Sequence, residues 1–156
     1  MPALNYARRL NLMNGISPMK KLMIAATLAV ASTVAQAYGE AITVYKDPDC
    51  GCCEGWIAYL RESGYKVKAV NSNDMSAIKK RLGVPDQLES CHTAVLDASG
   101  QVVEGHVPVA AIKKLIAQPK VHGVAAPGMP ANSPGMGKMD GNLVTVDFSG
   151  KQFSKD

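Results

Sequence analysis

Residues 41–54 read AITVYKDPDCGCCE and join an apolar, β-branched segment to a group of three cysteines. Residues 41–46 have the composition of a strand, and the DPD sequence at 47–49 is typical of the turn that ends one. Residues 54–63 then place apolar side chains at helical spacing, and Gly64 is a stop signal. The cysteines are therefore predicted to lie between a strand and the N-terminus of a helix.

The rest of the chain continues the same alternation as far as residue 117. We predict a second strand over 65–70, a second helix capped at 72–74 that runs through Leu82, a β-hairpin over 93–104, and a third helix over 109–117 opened by Pro108. This α/β order, β-α-β-α-β-β-α with the cysteines after the first strand, resembles the thioredoxin-like fold. A Gly/Pro/Met-rich C-terminal extension follows. Its residues 123–141 are too rich in Pro and Gly for regular structure, and 142–148 predict a last strand or hairpin.

The first 37 residues have the pattern of a leader with an export signal. Lys20 and Lys21 precede an apolar run over 22–31, and a small-x-small sequence follows at 35–37. A membrane-spanning helix needs about 20 apolar residues, and this run is shorter and interrupted by polar residues. We therefore predict cleavage after Ala37, a periplasmic protein that is not held in a membrane, and one thioredoxin-like metal-binding domain over 38–156.

The charge distribution argues against two kinds of partner, nucleic acid and anionic membrane surfaces. Residues 1–37 contain four basic and no acidic residues, which accounts for the whole formal net charge of +4. The remaining chain is neutral overall and has no dense cluster of Lys and Arg. Proteins that bind nucleic acid or anionic membrane surfaces present such clusters, so neither partner is expected.

All four cysteines, Cys50, Cys52, Cys53 and Cys91, follow the predicted cleavage site. Cys50 and Cys53 have the i, i+3 spacing that places two sulfurs on one side of a helical turn, and a helix N-terminus stabilises thiolates. A redox pair needs only these two thiols. Disulfide staples stabilise most when they close long loops, which three such closely spaced cysteines cannot do. The additional thiol at Cys52 therefore favours a soft metal, bound as more than one ion.

Further metal donors lie elsewhere in the sequence. Cys91 and His92 occupy the turn before the third predicted strand, where thioredoxins have a cis-proline, and His106 lies where the fourth strand meets the last helix. Met129 and Met136 lie in the extension. Thiolate and thioether ligands select Cu(I), whereas zinc would be satisfied by four Cys and His ligands and would leave the methionines unused. Ordinary hydrogen-bonded histidines and gap-filling methionines are the alternatives to ligand roles.

Four segments, taken in order, resemble the CopG-type family of periplasmic copper-resistance proteins: residues 44–53, 90–94, 103–108 and 127–136. The resemblance implies a thioredoxin-like fold with a cysteine-bridged cluster of copper ions at the Cys-x-Cys-Cys segment. It also implies a role in copper homeostasis in the cell envelope, with other periplasmic copper-handling proteins as partners. Copper redox chemistry is a further activity that the resemblance implies. Cys50, Cys52 and Cys53 match the family motif, as does Cys91 in its Ser-Cys-His-Thr setting.

The alternative function is a thiol-disulfide oxidoreductase of the envelope, with Cys50 and Cys53 as attacking and resolving thiols. His92 in place of the cis-proline disfavours this activity, and the extra thiols of Cys52 and Cys91 would invite mispaired disulfides. A third possibility, an interaction module stapled by disulfides, requires that mild reduction unfold the protein. The residues alone leave open whether the protein turns copper over or only binds it.

Overall fold

The computed structural model describes residues 39–156, so the predicted leader and its cleavage site after Ala37 lie outside the described residues. The elements are β1 (Ala41–Lys46), α1 (Gly51–Glu62), β2 (Lys66–Asn71), α2 (Met75–Arg81), a 3-10 turn (Asp86–Leu88), β3 (His92–Leu96), β4 (Val102–Glu104), α3 (Val109–Ile116), β5 (Gly123–Ala125), β6 (Val144–Asp147) and β7 (Gln152–Lys155). The mixed α/β class and the predicted order through α3 are confirmed, and three more strands follow. None of the helices within 39–156 has the length and apolarity to cross a membrane.

The strands form one seven-stranded sheet in the order β2-β1-β3-β4-β5-β6-β7. β1 is parallel to β2 and antiparallel to β3, β4 is parallel to β5, and the remaining neighbours are antiparallel. Lys46 at the end of β1 lies opposite His92 at the start of β3. The cysteine motif that follows β1 and the Cys91 that precedes β3 are therefore brought to the same end of the sheet.

The core forms where the helices cover the sheet. β1 buries Ile42 and Val44 at alternate positions, and α1 buries Trp56, Ile57 and Leu60 at helical spacing. Burying one such aliphatic side chain stabilises the fold by about 1.5–3 kcal/mol. The Trp56 indole N–H also donates a hydrogen bond to the Val107 carbonyl at 2.9 Å. This bond fixes the N-terminal half of α1 against the connection between β4 and α3.

Helix α1 begins earlier than predicted. The predicted helix spans 54–63, whereas α1 begins at Gly51 with Cys50 as its N-cap residue. The N–H of Cys50 donates to the Asp47 carbonyl at 3.2 Å and closes the preceding turn. Cys52 and Cys53 consequently lie in the first helical turn, where backbone N–H groups lack helical partners and favour negative charge.

The prediction that residues 123–141 lack regular structure is wrong at their start. β5 pairs with β4 in parallel, with Val124 opposite Val103, and its three residues are buried. A strand of three residues gives no periodic signal, and its pairing with a distant strand decides its conformation. The predicted C-terminal hairpin is confirmed as β6 and β7.

The extension packs directly on α1 through Gly135. Gly135 has φ +83°, and a Cβ added there would lie 2.5 Å from the backbone nitrogen of Trp56. A Cβ added at Gly55 would in turn lie 2.9 Å from the Gly135 carbonyl oxygen. Only glycine therefore allows this close approach between the extension and the helix that carries Cys52 and Cys53.

Replacing Gly135 with alanine is expected to destabilise the metal-free protein by more than the about 1–3 kcal/mol that a left-handed backbone alone costs a non-glycine residue. The added Cβ must also push the extension off α1. Gly128→Ala is the matched control, because Gly128 has φ +72° in the same extension but no atom within 4 Å of its Cβ position. Urea denaturation measures both variants. Equal losses of unfolding free energy would show that the contact with α1 is not tight.

Candidate metal centre

The four cysteines converge at the end of the sheet where β1 ends and β3 begins. All four Sγ atoms lie within 4.8 Å of one another. Cys52 Sγ lies 3.5 Å from Cys50 Sγ and 4.0 Å from Cys91 Sγ. Cys53 is fully buried and the other three are half-buried. The sheet register thus brings together a motif and a cysteine 38 residues downstream of Cys53, as the predicted fold requires.

The redox state of this cysteine cluster, Cys50, Cys52, Cys53 and Cys91, is mixed. Cys50 and Cys53 form a disulfide, whereas Cys52 and Cys91 are free thiols. A disulfide sulfur carries no thiolate charge, and the thiolate is the metal-binding form of cysteine. Two-electron reduction is therefore required before all four sulfurs can serve as metal donors.

A second group of donors shares Cys91 with the cysteine cluster. The donor atoms of Cys91, His92 and His106 lie within 4.8 Å of one another. Cys91 Sγ lies 3.3 Å from His106 Nε2 and 3.7 Å from His92 Nδ1. Cys91 therefore stands between the thiols of α1 and the two imidazoles.

His106 is held in the tautomer that a metal ligand requires. Its Nδ1 lies 2.8 Å from the Pro134 carbonyl, which can only accept, so Nδ1 carries the proton and donates. Nε2 is then left with a lone pair that faces Cys91. Burial lowers the pKa of His106, which favours the neutral imidazole. Metal-binding histidines typically donate their second ring N–H to a carbonyl in this way.

His92 has a buried nitrogen without a protein partner. The residue is fully buried, and within residues 39–156 its Nε2 makes no hydrogen bond. Its ring packs on Trp56 and His106, at centroid distances of 4.4 and 4.9 Å. Burial, followed by the charges of His106 and Lys79, lowers the pKa of His92 to about 3. Buried polar atoms are nearly always satisfied, so Nε2 is an exception, whereas Nδ1 is the ring nitrogen that lies 3.7 Å from Cys91 Sγ.

Comparison with known proteins identifies the family of this chain. Residues 88–136 match the family described as "Protein of unknown function, DUF411". Two solved structures, described as "Copper resistance protein copG", Form 1 and Form 2, are each 44% identical to this chain. Each alignment covers 76% of this chain and 98% of the other, with TM-scores of 0.67 and 0.66. The chain belongs to the CopG family. No match is found among curated proteins.

The methionines of this CopG-family chain are placed differently from its cysteines and histidines. Met129 and Met136 are 57% and 37% exposed, respectively. The extension that carries them nevertheless passes over the site, since the Ser90 hydroxyl donates to the Gly128 carbonyl at 2.6 Å. The structure thus gathers the six predicted Cys and His donors and leaves the two predicted methionines exposed.

Sequence reasoning missed the buried charges around the CopG-family site. Lys46 is 2% exposed, forms a 3.0 Å ion pair with Glu54, and donates to the carbonyls of Asp47 and Pro48 at 3.1 and 3.4 Å. It therefore braces the turn that leads into the cysteine motif. The only sequence signal was its position, since Lys46 continues the inward alternation of β1.

The thiol of Cys91 holds its proton more firmly than an exposed cysteine does. Burial and the neighbouring Cys52 raise the pKa of Cys91. Cysteine must lose its proton to bind a metal, so binding at this residue releases a proton and weakens in acid. The same dependence is expected of any metal bound between Cys91 and the histidines.

Acid is expected to destabilise the metal-free protein through His92. Its folded pKa of about 3 lies below the ordinary value of 6.5, so the unfolded state takes up the proton first and stability falls as pH falls through this interval. This single group should cost about 2 kcal/mol between about pH 6.5 and about pH 5. His92→Phe keeps a ring against Trp56 and should remove that part of the pH dependence, whereas His122→Asn at an exposed histidine should not. Urea denaturation between about pH 6.5 and about pH 5 measures how the free energy of unfolding depends on pH. The same pH dependence in His92→Phe as in the wild type would show that His92 is not its source.

Proposed function

We propose that this CopG-family chain binds copper in the periplasm and contributes to copper resistance, holding more than one Cu(I) ion. The proposed ligands are Cys50, Cys52, Cys53, Cys91, His92 and His106. The observation that carries the proposal is the position of Cys91, which is shared between the cysteine cluster and the histidine pair. One shared thiolate can bridge ions held by the two groups.

The chemistry of the donors supports Cu(I) over zinc. A structural zinc site is complete with four tetrahedral ligands, whereas six Cys and His donors surround this centre. Thiolates are soft ligands that select Cu(I), and sulfurs 3.5 and 4.0 Å apart are close enough to share ions between them. The exposed Met129 and Met136 are proposed as outer thioether ligands that meet Cu(I) at the rim, supported by the contact of their segment with Ser90.

The fold proposed for this function is thioredoxin-like. The sheet order β2-β1-β3-β4, with β1 parallel to β2 and antiparallel to β3, supports such a unit. In this view β5, β6 and β7 form the C-terminal extension. We assign residues 1–37 to a leader and cleaved signal peptide and 38–156 to the metal-binding domain, supported by the charged, apolar and small-residue pattern of the leader. Disulfides form and persist in oxidising compartments such as the periplasm, so the Cys50–Cys53 disulfide also supports export.

Copper redox chemistry is a second proposed activity, supported by the Cys50–Cys53 disulfide beside two free thiols. The reduced pair would lose two electrons and two protons and form the S–S bond, and two Cu(II) ions would each gain one electron and become Cu(I). The same disulfide supports the alternative function, a thiol-disulfide oxidoreductase with Cys50 and Cys53 as the reacting pair. The Cys52 thiol, 3.5 Å from Cys50, disfavours it because it would compete with an incoming substrate thiol.

Anaerobic Cu(I) titration of the reduced protein, with metal analysis and an insulin-reduction assay, tests the proposal. We expect several tightly bound copper ions per chain and no insulin reduction. The same titration with the Cys50–Cys53 disulfide intact is the internal control and should bind fewer ions, because two thiolates are missing. A single ion in the fully reduced protein would contradict a cluster. Insulin reduction without stable copper would establish the oxidoreductase instead.

A further inference from the structure

Glu104 is a buried carboxylate whose hydrogen bonds converge on the segment that carries Cys91 and His92. It is fully buried at the end of β4. Its Oε1 accepts the Ser90 backbone N–H at 2.6 Å, and its Oε2 accepts the Thr93 hydroxyl at 2.6 Å. Glu104 therefore hydrogen-bonds the chain immediately before Cys91 and immediately after His92.

Lys79 of α2 completes this network. Its side chain is nearly fully buried, donates to Thr93 Oγ1 at 3.1 Å and forms an ion pair with Glu104 Oε1. Removing two charges from water is costly, and a buried pair commonly contributes no more stability than apolar residues of the same volume. The buried Lys79–Glu104 pair is therefore better explained by a role in geometry than by a role in stability. Both residues hydrogen-bond to the segment 90–93.

The backbone of Glu104 links the same segment to the second histidine. Glu104 lies opposite Thr93 in the β3–β4 ladder and two residues before His106. Between them, Gly105 has φ +72° and donates its N–H to the His92 carbonyl at 3.0 Å. The carbonyl of Glu104 accepts from Ala126 at 3.0 Å, just beyond β5. One residue thus joins the segment before β3, the turn that carries His106 and the start of the extension.

We propose that Glu104, with Lys79 and Thr93, is a positioning residue that holds Cys91 between Cys52 and His106. The proposal rests on the proposed function and deepens it, because it names what sets the geometry of the shared ligand. Outer-shell hydrogen bonds of this kind orient metal ligands. In Glu104→Gln the amide nitrogen that replaces one oxygen cannot accept a hydrogen bond, so either the Ser90 N–H loses its acceptor or the Thr93 hydroxyl must turn and accept instead of donating. The charge that pairs with Lys79 is lost as well, while the size of the side chain is kept.

The first test measures geometry without a metal. In a Cys50→Ser/Cys53→Ser background only Cys52 and Cys91 remain, and diamide oxidises them to a disulfide by taking up their two protons and two electrons. Misplacement of reacting atoms by about 1 Å can slow a reaction about 100-fold, so we expect Glu104→Gln to slow this cross-linking about 10- to 100-fold. Lys79→Met/Glu104→Gln removes both buried charges and provides a folded variant if the single change prevents folding; it should be slowed as well.

A destabilised control separates positioning from general stability. Ile112→Ala empties a fully buried position on α3, which is outside the network. It should lower thermal stability and leave the cross-linking rate unchanged. If both Glu104 variants cross-link at the rate of the background protein, or if Ile112→Ala slows cross-linking as much as they do, the positioning role is overturned.

The second test adds copper to the protein with all four cysteines. Competition for Cu(I) with bathocuproine disulfonate should show about 10- to 100-fold weaker binding in Glu104→Gln, the range that loss of outer-shell hydrogen bonds produces. Cu(I) affinity equal to that of the wild type would count against the positioning role. A wild type that binds no Cu(I) would instead refute the proposed function, and the cross-linking rates would still decide the role of Glu104.

Discussion

Replacing Cys91 with serine is expected to abolish multinuclear copper binding and to weaken Cu(I) binding by more than the about 100-fold that outer-shell losses reach. Cys91 is the only residue shared by the two donor groups found within residues 39–156. Its loss leaves three sulfurs at the N-terminus of α1 and two imidazoles with no common ligand. Cys52→Ser, by contrast, leaves the Cys91, His92 and His106 group intact and should retain one ion.

Metal analysis after anaerobic loading of the reduced variants measures this difference. Ser90→Ala is the local control, because it removes the contacts of the hydroxyl with the Gly128 carbonyl and with Cys91 Sγ (3.9 Å) but keeps all six Cys and His donors. It should retain the wild-type copper stoichiometry. Wild-type stoichiometry in Cys91→Ser would mean that copper is held by the Cys-x-Cys-Cys segment alone and that Cys91 bridges nothing.

The position of the centre could be predicted because it depends on the order of elements and on the hydrophobic pattern. The alternation of β1 and the helical spacing of Trp56, Ile57 and Leu60 predict a strand, a turn and a helix around the cysteines. The pairing of Lys46 with His92 then places Cys91 beside them. β5 could not be predicted in this way, because three small and apolar residues become a strand only through their pairing with β4.

The buried charged residues around the centre could not be predicted from the sequence for a different reason. Lys46, Lys79 and Glu104 are charged residue types that are almost always exposed, and each is buried here because a partner or carbonyl group is brought to it by the fold. The partner of Glu104 lies 25 residues earlier, on another element. The spacing of Cys50 and Cys53 likewise permits both thiols and a disulfide, and only the structure shows them joined.

Replacing Lys79 with methionine is expected to destabilise the fold strongly, and that loss should grow with pH. Removing one partner of a buried ion pair typically costs about 3–5 kcal/mol, because the remaining charge is left uncompensated. Burial raises the pKa of Glu104, and the charge of Lys79 opposes this rise. Without Lys79 the pKa of Glu104 must rise further, and the carboxyl becomes neutral in the folded state over a wider pH range.

The sign of the pH dependence follows from that shift. A carboxyl group whose pKa is raised by folding leaves the protein most stable below the ordinary pKa of the group, here 4.5. That stability is lost as pH rises through the pKa of the folded state. Lys79→Met widens the shift, so its destabilisation should be larger at about pH 8 than at about pH 5, because lower pH favours the protonated carboxyl, which carries no buried charge.

Urea denaturation of metal-free protein at both pH values measures this, and the absence of metal removes the stabilisation that a bound ligand would add. Lys80→Met is the matched control on the same helix. Because Lys80 is exposed, its change should stay within about 0.5 kcal/mol at either pH. A loss in Lys79→Met that is the same at both pH values would mean that an ionised Glu104 is not what makes the variant unstable. The cost would then come from packing and from the hydrogen bond to Thr93 alone.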